Sequence, residues 1–251
     1  MAKKVRYKLS VKRLIALIFL FIFLGIFVFS AYKISIYLTS AKDTQEIVET
    51  LDDYIEVNAD NEDDVKIDFD KLKKTNSDTV AWIRVNNTNI NYPVVRGNDN
   101  EYYLKHNFNK KWNEGGWIYS DYRNKFDGTD RNIVIFGHAM KNKTMFGSLI
   151  NTTHKDWNND ESNRNIQLII NDKVYIYKIF SVYKVQVEDY YINTRFSSDS
   201  DYKKFLNTIK DRSMYKYNED ISETKNILTL STCYDNHNTR LAVHAYLIDV
   251  L

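Results

Sequence analysis

Asn226-Ile-Leu-Thr-Leu-Ser-Thr-Cys233-Tyr-Asp-Asn-His-Asn-Thr-Arg240, followed by Leu241-Ala-Val-His-Ala-Tyr-Leu-Ile248, is the stretch from which the rest of the chain is read. Ile227, Leu228 and Leu230 form a short buried strand, and Leu241–Ile248 is a second apolar run rich in strand formers. Asp235, Asn236 and Asn238 between them are turn residues. Cys233 closes the first strand and Arg240 opens the second. If the two strands are neighbours, both side chains can reach one space. A thiol needs a nearby positive charge to ionise at neutral pH. A guanidinium never loses its charge and can steady the thiolate or an oxyanion that it generates. A lone cysteine is more often a small buried hydrophobe than a nucleophile. The threonines, serine and turn residues around Cys233 make its setting polar.

Working outward, the 251-residue chain is 43% hydrophobic, enough for one sizeable core. A net charge of +2 gives no bulk argument for a nucleic-acid partner. The charge is uneven, however: Lys3, Lys4, Arg6, Lys8, Lys12 and Arg13 crowd the first thirteen residues. Nineteen tyrosines against one proline and seven glycines suit an ordered, strand-rich domain. One cysteine excludes an intrachain disulfide and a cysteine-built zinc site. No His and carboxylate cluster at ligand spacing and no phosphate-binding glycine loop is present, so no cofactor is expected.

Leu14–Phe29 is an unbroken apolar run, and 14–32 gives nineteen residues. At about 1.5 Å per residue that nearly spans a bilayer core of roughly 30 Å. A cleaved signal peptide is the rival, but Phe29 and Tyr32 flank Ser30-Ala31 and leave no good small-x-small site. The reading is therefore a cytoplasmic basic head (1–13), a transmembrane anchor (14–32), an extracellular stalk with a helix (33–67) and a domain over 68–251, with the head held inside by its positive charge. Helical spacing runs over Thr44–Val57, residues 60–64 read as an acidic linker, and Asp68–Lys74 reads as a second short helix.

From Thr79 the period shortens. Val80–Val85, Ile90–Val95, Trp117–Tyr119, Ile133–Phe136, Ile166–Ile170 and Val174–Val187, with the two strands around Cys233, make about eight strands in a mainly β barrel or sandwich. One helix interrupts them: Tyr202, Phe205, Leu206 and Ile209 fall at helical spacing within Asp201–Arg212. Of five histidines, His138 closes the buried strand Asn132-Ile-Val-Ile-Phe-Gly137, so it sits at a strand end as Cys233 does. His244 lies within a strand and reads as structural, His237 sits on a loop, and His106 and His154 read as solvated.

These residues resemble the sortase family, class B. Thr229-Leu-Ser-Thr-Cys233 with Arg240 resembles the nucleophile signature, and Phe136-Gly-His138 the histidine signature. Thr79-Val-Ala-Trp-Ile-Arg-Val85, Asn89-Ile-Asn-Tyr-Pro-Val-Val95, Asn100-Glu-Tyr-Tyr-Leu104 and Gly116 through Tyr122-Arg-Asn124 continue the match, which covers 68–251. The helix ahead of the cysteine strand points to class B. The resemblance implies an eight-stranded sortase β-barrel and a cell-surface transpeptidase of Gram-positive type. Cys233 would attack the threonine carbonyl of a secreted protein's C-terminal sorting signal. His138 would protonate the departing amine, and Arg240 would hold the substrate backbone and the oxyanion. An amine of a peptidoglycan precursor would then take the acyl group. Asn100, Leu104, Tyr191, Ile192 and Ser231 align with the residues that contact the signal. Only six residues separate Cys233 from Arg240, a shorter loop than the class B pattern, and Asp235 within it is a turn former first and an orienter of the site second. A pilin-polymerising sortase, a plain hydrolase and a non-catalytic anchored β-domain are the rival readings.

Overall fold

The structure is a computed structural model that describes residues 10–58, 61–219, 221–222, 225–234 and 239–251, with backbone only for 57–58, 61–65 and 233–234. Most of the basic head, together with Asp60, Asp235 and His237, lies outside the described residues. Two compact units divide between Lys42 and Asp43.

The first unit carries most of α1 (Val11–Glu49), a helix long and apolar enough to cross a membrane. Phe19, Phe21, Phe27 and their neighbours are exposed along it, an apolar surface that water does not tolerate. The separate helix expected over Thr44–Val57 is instead the end of α1. No proline stands between Val11 and Glu49, so nothing breaks the helix before Thr50. A 3-10 turn follows over Leu51–Tyr54.

The acidic linker expected at 60–64 is also corrected. β1 (Ile55–Asn58) pairs antiparallel with β2 (Asn61–Ile67), Ile55 opposite Ile67 and Val57 opposite Val65. The pairing joins residues on either side of the acidic stretch, and β-branched Ile55 and Ile67 directly opposite each other favour it. α2 (Phe69–Thr75) opens on Asp68, whose Oδ1 accepts the Lys71 amide at 2.8 Å, and buries Phe69 and Leu72.

Eight strands then close a barrel. They are β3 (Thr79–Val85), β4 (Asn91–Val95), β5 (Tyr119–Ser120), β6 (Asn132–Phe136), β7 (Asn165–Ile170), β8 (Lys173–Gln186), β9 (Ile227–Tyr234) and β10 (Thr239–Val250). Around the barrel the order is β10-β8-β7-β3-β4-β5-β6-β9. β4–β5 and β6–β9 are parallel and the other pairs antiparallel, so the barrel is mixed. Among the described residues, closure leaves the barrel itself without an edge strand. Short α3 (Lys155–Asn159) lies between β6 and β7, and α4 (Asp199–Asp211) between β8 and β9.

Alternation along β9 and β10 supplies two cores. Leu228, Leu230, Leu241, Val243 and Ala245 join the main core with Trp82, Ile83 and Ile135. Ile227 and Ala242 face the other way, into a smaller cluster with Tyr202, Phe205, Leu206 and Ile209 of α4 and Tyr191. The helix ahead of the cysteine strand thus roofs the outer face of β9–β10. Its start is capped by Ser198, whose hydroxyl accepts the Asp201 amide at 3.1 Å.

Candidate functional site

The β9–β10 register decides what stands beside Cys233. Thr229 is opposite His244, Ser231 opposite Ala242, and Cys233 opposite Arg240. Directly opposed residues of an antiparallel pair share a face. The cysteine position therefore belongs to the outer face that α4 roofs, at the end the helix leaves open.

His138 arrives from the other side of β9. β6 and β9 run parallel with Phe136 opposite Ser231, and the Gly137 amide donates to the Ser231 carbonyl at 3.3 Å. Two residues beyond that pair, one strand reaches His138 and the other Cys233. His138 Nε2 lies 3.0 Å from the Leu104 carbonyl. A carbonyl only accepts, so Nε2 carries the proton. Gly137 is required by close approach: a Cβ there would lie 2.5 Å from Ile118 Cδ1 and 2.9 Å from Phe146 Cγ.

A cleft of about 250 Å³ opens at this end of the barrel. It is lined by His138, Arg240 and all five residues expected to contact a ligand: Asn100, Leu104, Tyr191, Ile192 and Ser231. Tyr191 Oη and Ser231 Oγ are 3.0 Å apart. Burial pushes the Tyr191 phenol above its ordinary pKa, against the Ser231 hydrogen bond and the Arg240 charge. A larger hollow of about 370 Å³ lies by α2, lined by Glu56, Lys66, Asp68, Asp70, Lys73 and Asp172 among others. Exposed charges of both signs and no nucleophile make it the weaker candidate.

The sequence reading omitted two residues behind the cleft. Asp121 is fully buried, and Arg123 grips it through Nε at 2.8 Å and Nη2 at 2.7 Å. Asn100 Nδ2 donates to the same carboxylate at 3.0 Å. Burial works to raise the Asp121 pKa, but the hydrogen bonds from Arg123 and Asn100 outweigh it and hold the carboxyl below its ordinary value. Their segment belonged to the matched stretch 116–124, but what joins the pair to the cleft, Asn100 and Ile192, is distant in sequence.

His244 takes the structural place expected of it. It is fully buried, 3.0 Å from Tyr183 Oη and 2.9 Å from Thr229 Oγ1. Tyr190 donates to Tyr183, and Thr229 donates to Asn132 Oδ1. His244 must then accept from Tyr183 at Nε2 and donate to Thr229 from Nδ1, which requires the neutral ring. Burial agrees, depressing its pKa to about 3. Asn132 Nδ2 donates to the Asn193 carbonyl at 2.9 Å, so the chain of bonds starting at Tyr190 returns three residues further on. It encloses the 3-10 turn Tyr190–Ile192, one wall of the cleft. His106 stacks on the Tyr102 ring, centroids 3.9 Å apart, and His154 is exposed.

Residues 83–248 match the sortase domain family. The chain is 34% identical to sortase B of Listeria monocytogenes over 215 residues, covering 84% of this chain and 86% of that protein. Among solved structures, sortase B of Clostridium perfringens is 39% identical, with a TM-score of 0.68 over 72% of this chain and all of that one. A Bacillus anthracis protein similar to sortase B is 34% identical, with a TM-score of 0.72 over 82% of this chain and 96% of that one. With a sortase barrel, a family match over most of it and relatives named sortase B over most of its length, the chain belongs to the sortase family and is a cysteine transpeptidase of the sortase B type.

Proposed function

We propose that the protein cleaves the C-terminal sorting signal of a secreted protein and joins the product to an amine of a peptidoglycan precursor. The observation that carries this is one cleft lined by His138, Arg240 and the five residues aligned with signal contacts, with Cys233 opposite Arg240 in the β9–β10 pair.

In this mechanism the Cys233 thiolate attacks the carbonyl carbon of the signal's threonine. Arg240 donates to the oxygen as it gains negative charge, where a fixed guanidinium stabilises the transition state more than the ground state. His138 gives its proton to the amide nitrogen, the C–N bond breaks, and the C-terminal segment leaves as an amine. A thioester remains on Cys233. The acceptor amine attacks it, His138 takes the amine's surplus proton, the C–S bond breaks, and thiolate and acid are restored. Asn100, Leu104, Tyr191, Ile192 and Ser231 hold the signal in the cleft.

The same reading keeps 1–13 as cytoplasmic head, 14–32 as membrane anchor, 33–67 as stalk and 68–251 as the extracellular catalytic domain. It is supported by the exposed apolar helix and the basic residues ahead of it. The test is covalent. Enzyme mixed with a peptide library, one threonine fixed and its flanks randomised, should gain peptide mass on Cys233. An amine such as triglycine should discharge that adduct faster than water does. No adduct from any member of the library refutes the proposal. An adduct that amines do not discharge faster makes the protein a hydrolase.

A further inference from the structure

Two segments that are far apart in sequence both line the cleft. Asn100 follows β4, and the 3-10 turn Tyr190–Ile192 follows β8. One side chain reaches both. Arg123 Nε and Nη2 hold the Asp121 carboxylate, which in turn holds Asn100 Nδ2, and Nη2 also donates to the Ile192 carbonyl at 3.0 Å. Asn100 is tied again through Oδ1, which accepts the Tyr122 amide at 3.0 Å. In the second segment every residue from 190 to 193 is pinned: Tyr190 by Tyr183, Tyr191 by Ser231, Ile192 by Arg123 and Asn193 by Asn132. Of these four partners, Arg123 is the one that also connects to Asn100, through Asp121. Its planar fork lets it serve the carboxylate with two parallel bonds and still offer a hydrogen to the carbonyl, which an ammonium on a flexible stem does not do.

We propose that Arg123, braced by Asp121, is a positioning residue that sets the separation of Asn100 and Ile192 and so governs binding of the peptide in the cleft. This rests on the reading of the cleft as the sorting-signal site. Arg123 is not itself a lining residue of the cleft, so it acts on the peptide through Asn100 and Ile192, which are.

Arg123→Met alone would leave the buried Asp121 carboxylate unpaired and endanger folding. The informative variant is therefore Asp121→Asn with Arg123→Met, which removes both charges together, with Arg123→Lys as the conservative partner. The substrate is the peptide from the threonine-fixed library that labels the wild type fastest. The double variant is expected to raise KM about tenfold while kcat stays within about twofold. Arg123→Lys should fall between the two. Alkylation of Cys233 by iodoacetamide, which needs no peptide site, should run at the wild-type rate. An unchanged KM overturns the proposal. Equal losses in kcat and in alkylation overturn it too, because they mark a residue needed for the fold in general. A wild type that forms no peptide adduct overturns the sorting-signal reading itself, and the proposal with it.

Discussion

Cys233 and Arg240 are opposed residues in the antiparallel β9–β10 pair, with six residues between them in sequence. In the proposed mechanism the cation that serves the nucleophile is therefore placed by the strand ladder. Replacing Arg240 with Lys keeps the charge and loses the fork. The expected result is a fall of at least about tenfold in kcat/KM, roughly 1.4 kcal/mol of transition-state stabilisation, with little change in melting temperature. Near-normal turnover by Arg240→Lys would remove it from the mechanism.

Cys233 and His138 should behave as one unit. Cys233→Ala should abolish peptide cleavage, since the chain has no second thiol. His138→Ala should nearly abolish it, because the departing amine needs a proton. The double variant should be no worse than Cys233→Ala. Additive losses in single-turnover measurements would show that the two act in separate steps.

Gly137 links the histidine to the core. Gly137→Ala drives a methyl into Ile118 and Phe146, side chains that are fully buried. Overpacking of this kind costs about 1–3 kcal/mol, visible as a lower urea midpoint. Relief of the clash moves the backbone next to His138, so turnover should fall as well. A variant with wild-type midpoint and rate would mean that the site has slack that the structure does not show.

His244 predicts a pH-dependent stability. Its folded pKa of about 3 lies below the ordinary 6.5, so between these values the unfolded chain binds a proton that the folded chain refuses. The His244 contribution is complete above pH 6.5 and is lost as pH falls toward 3, with a slope of at most about 1.4 kcal/mol per pH unit. Carboxylates titrate in the same range, so the measurement is the difference in unfolding free energy between wild type and His244→Gln. A difference that stays constant from pH 7 to about 4 contradicts the neutral buried ring.

The N-terminal helix sets a prediction about compartment. Full-length protein should partition with membranes, and deletion through Tyr32 should release a soluble, active domain. Secreted protein whose N-terminus, read by mass spectrometry, begins just after residue 32 would mark the segment as a cleaved signal instead.

Much of this molecule was legible in local sequence. The apolar run from Leu14 needs no partner to become a helix, because a helix satisfies its own backbone bonds. The short helix read from Asp68 is present as α2, and Tyr202, Phe205, Leu206 and Ile209 mark the buried face of α4 by spacing alone, although its cap at Ser198 lies ahead of the Asp201 start read from the sequence. Alternation around Leu228, Leu230, Leu241 and Val243 predicted the two strands that carry Cys233 and Arg240, and the strand-end position of His138 singled it out among five histidines. The β1–β2 pairing was missed because its register, Ile55 opposite Ile67 and Val57 opposite Val65, joins residues on either side of an acidic stretch that reads as a break. Arg123 and Asp121 were missed for a similar reason: beyond each other, their partners lie 21 and 69 residues away, Asn100 for Asp121 and Ile192 for Arg123. Periodicity reports which face of an element is apolar, since that depends only on its own repeat. Which elements meet, and which polar side chains that meeting buries and so obliges to find partners, depends on barrel closure, and only the tertiary structure decided that.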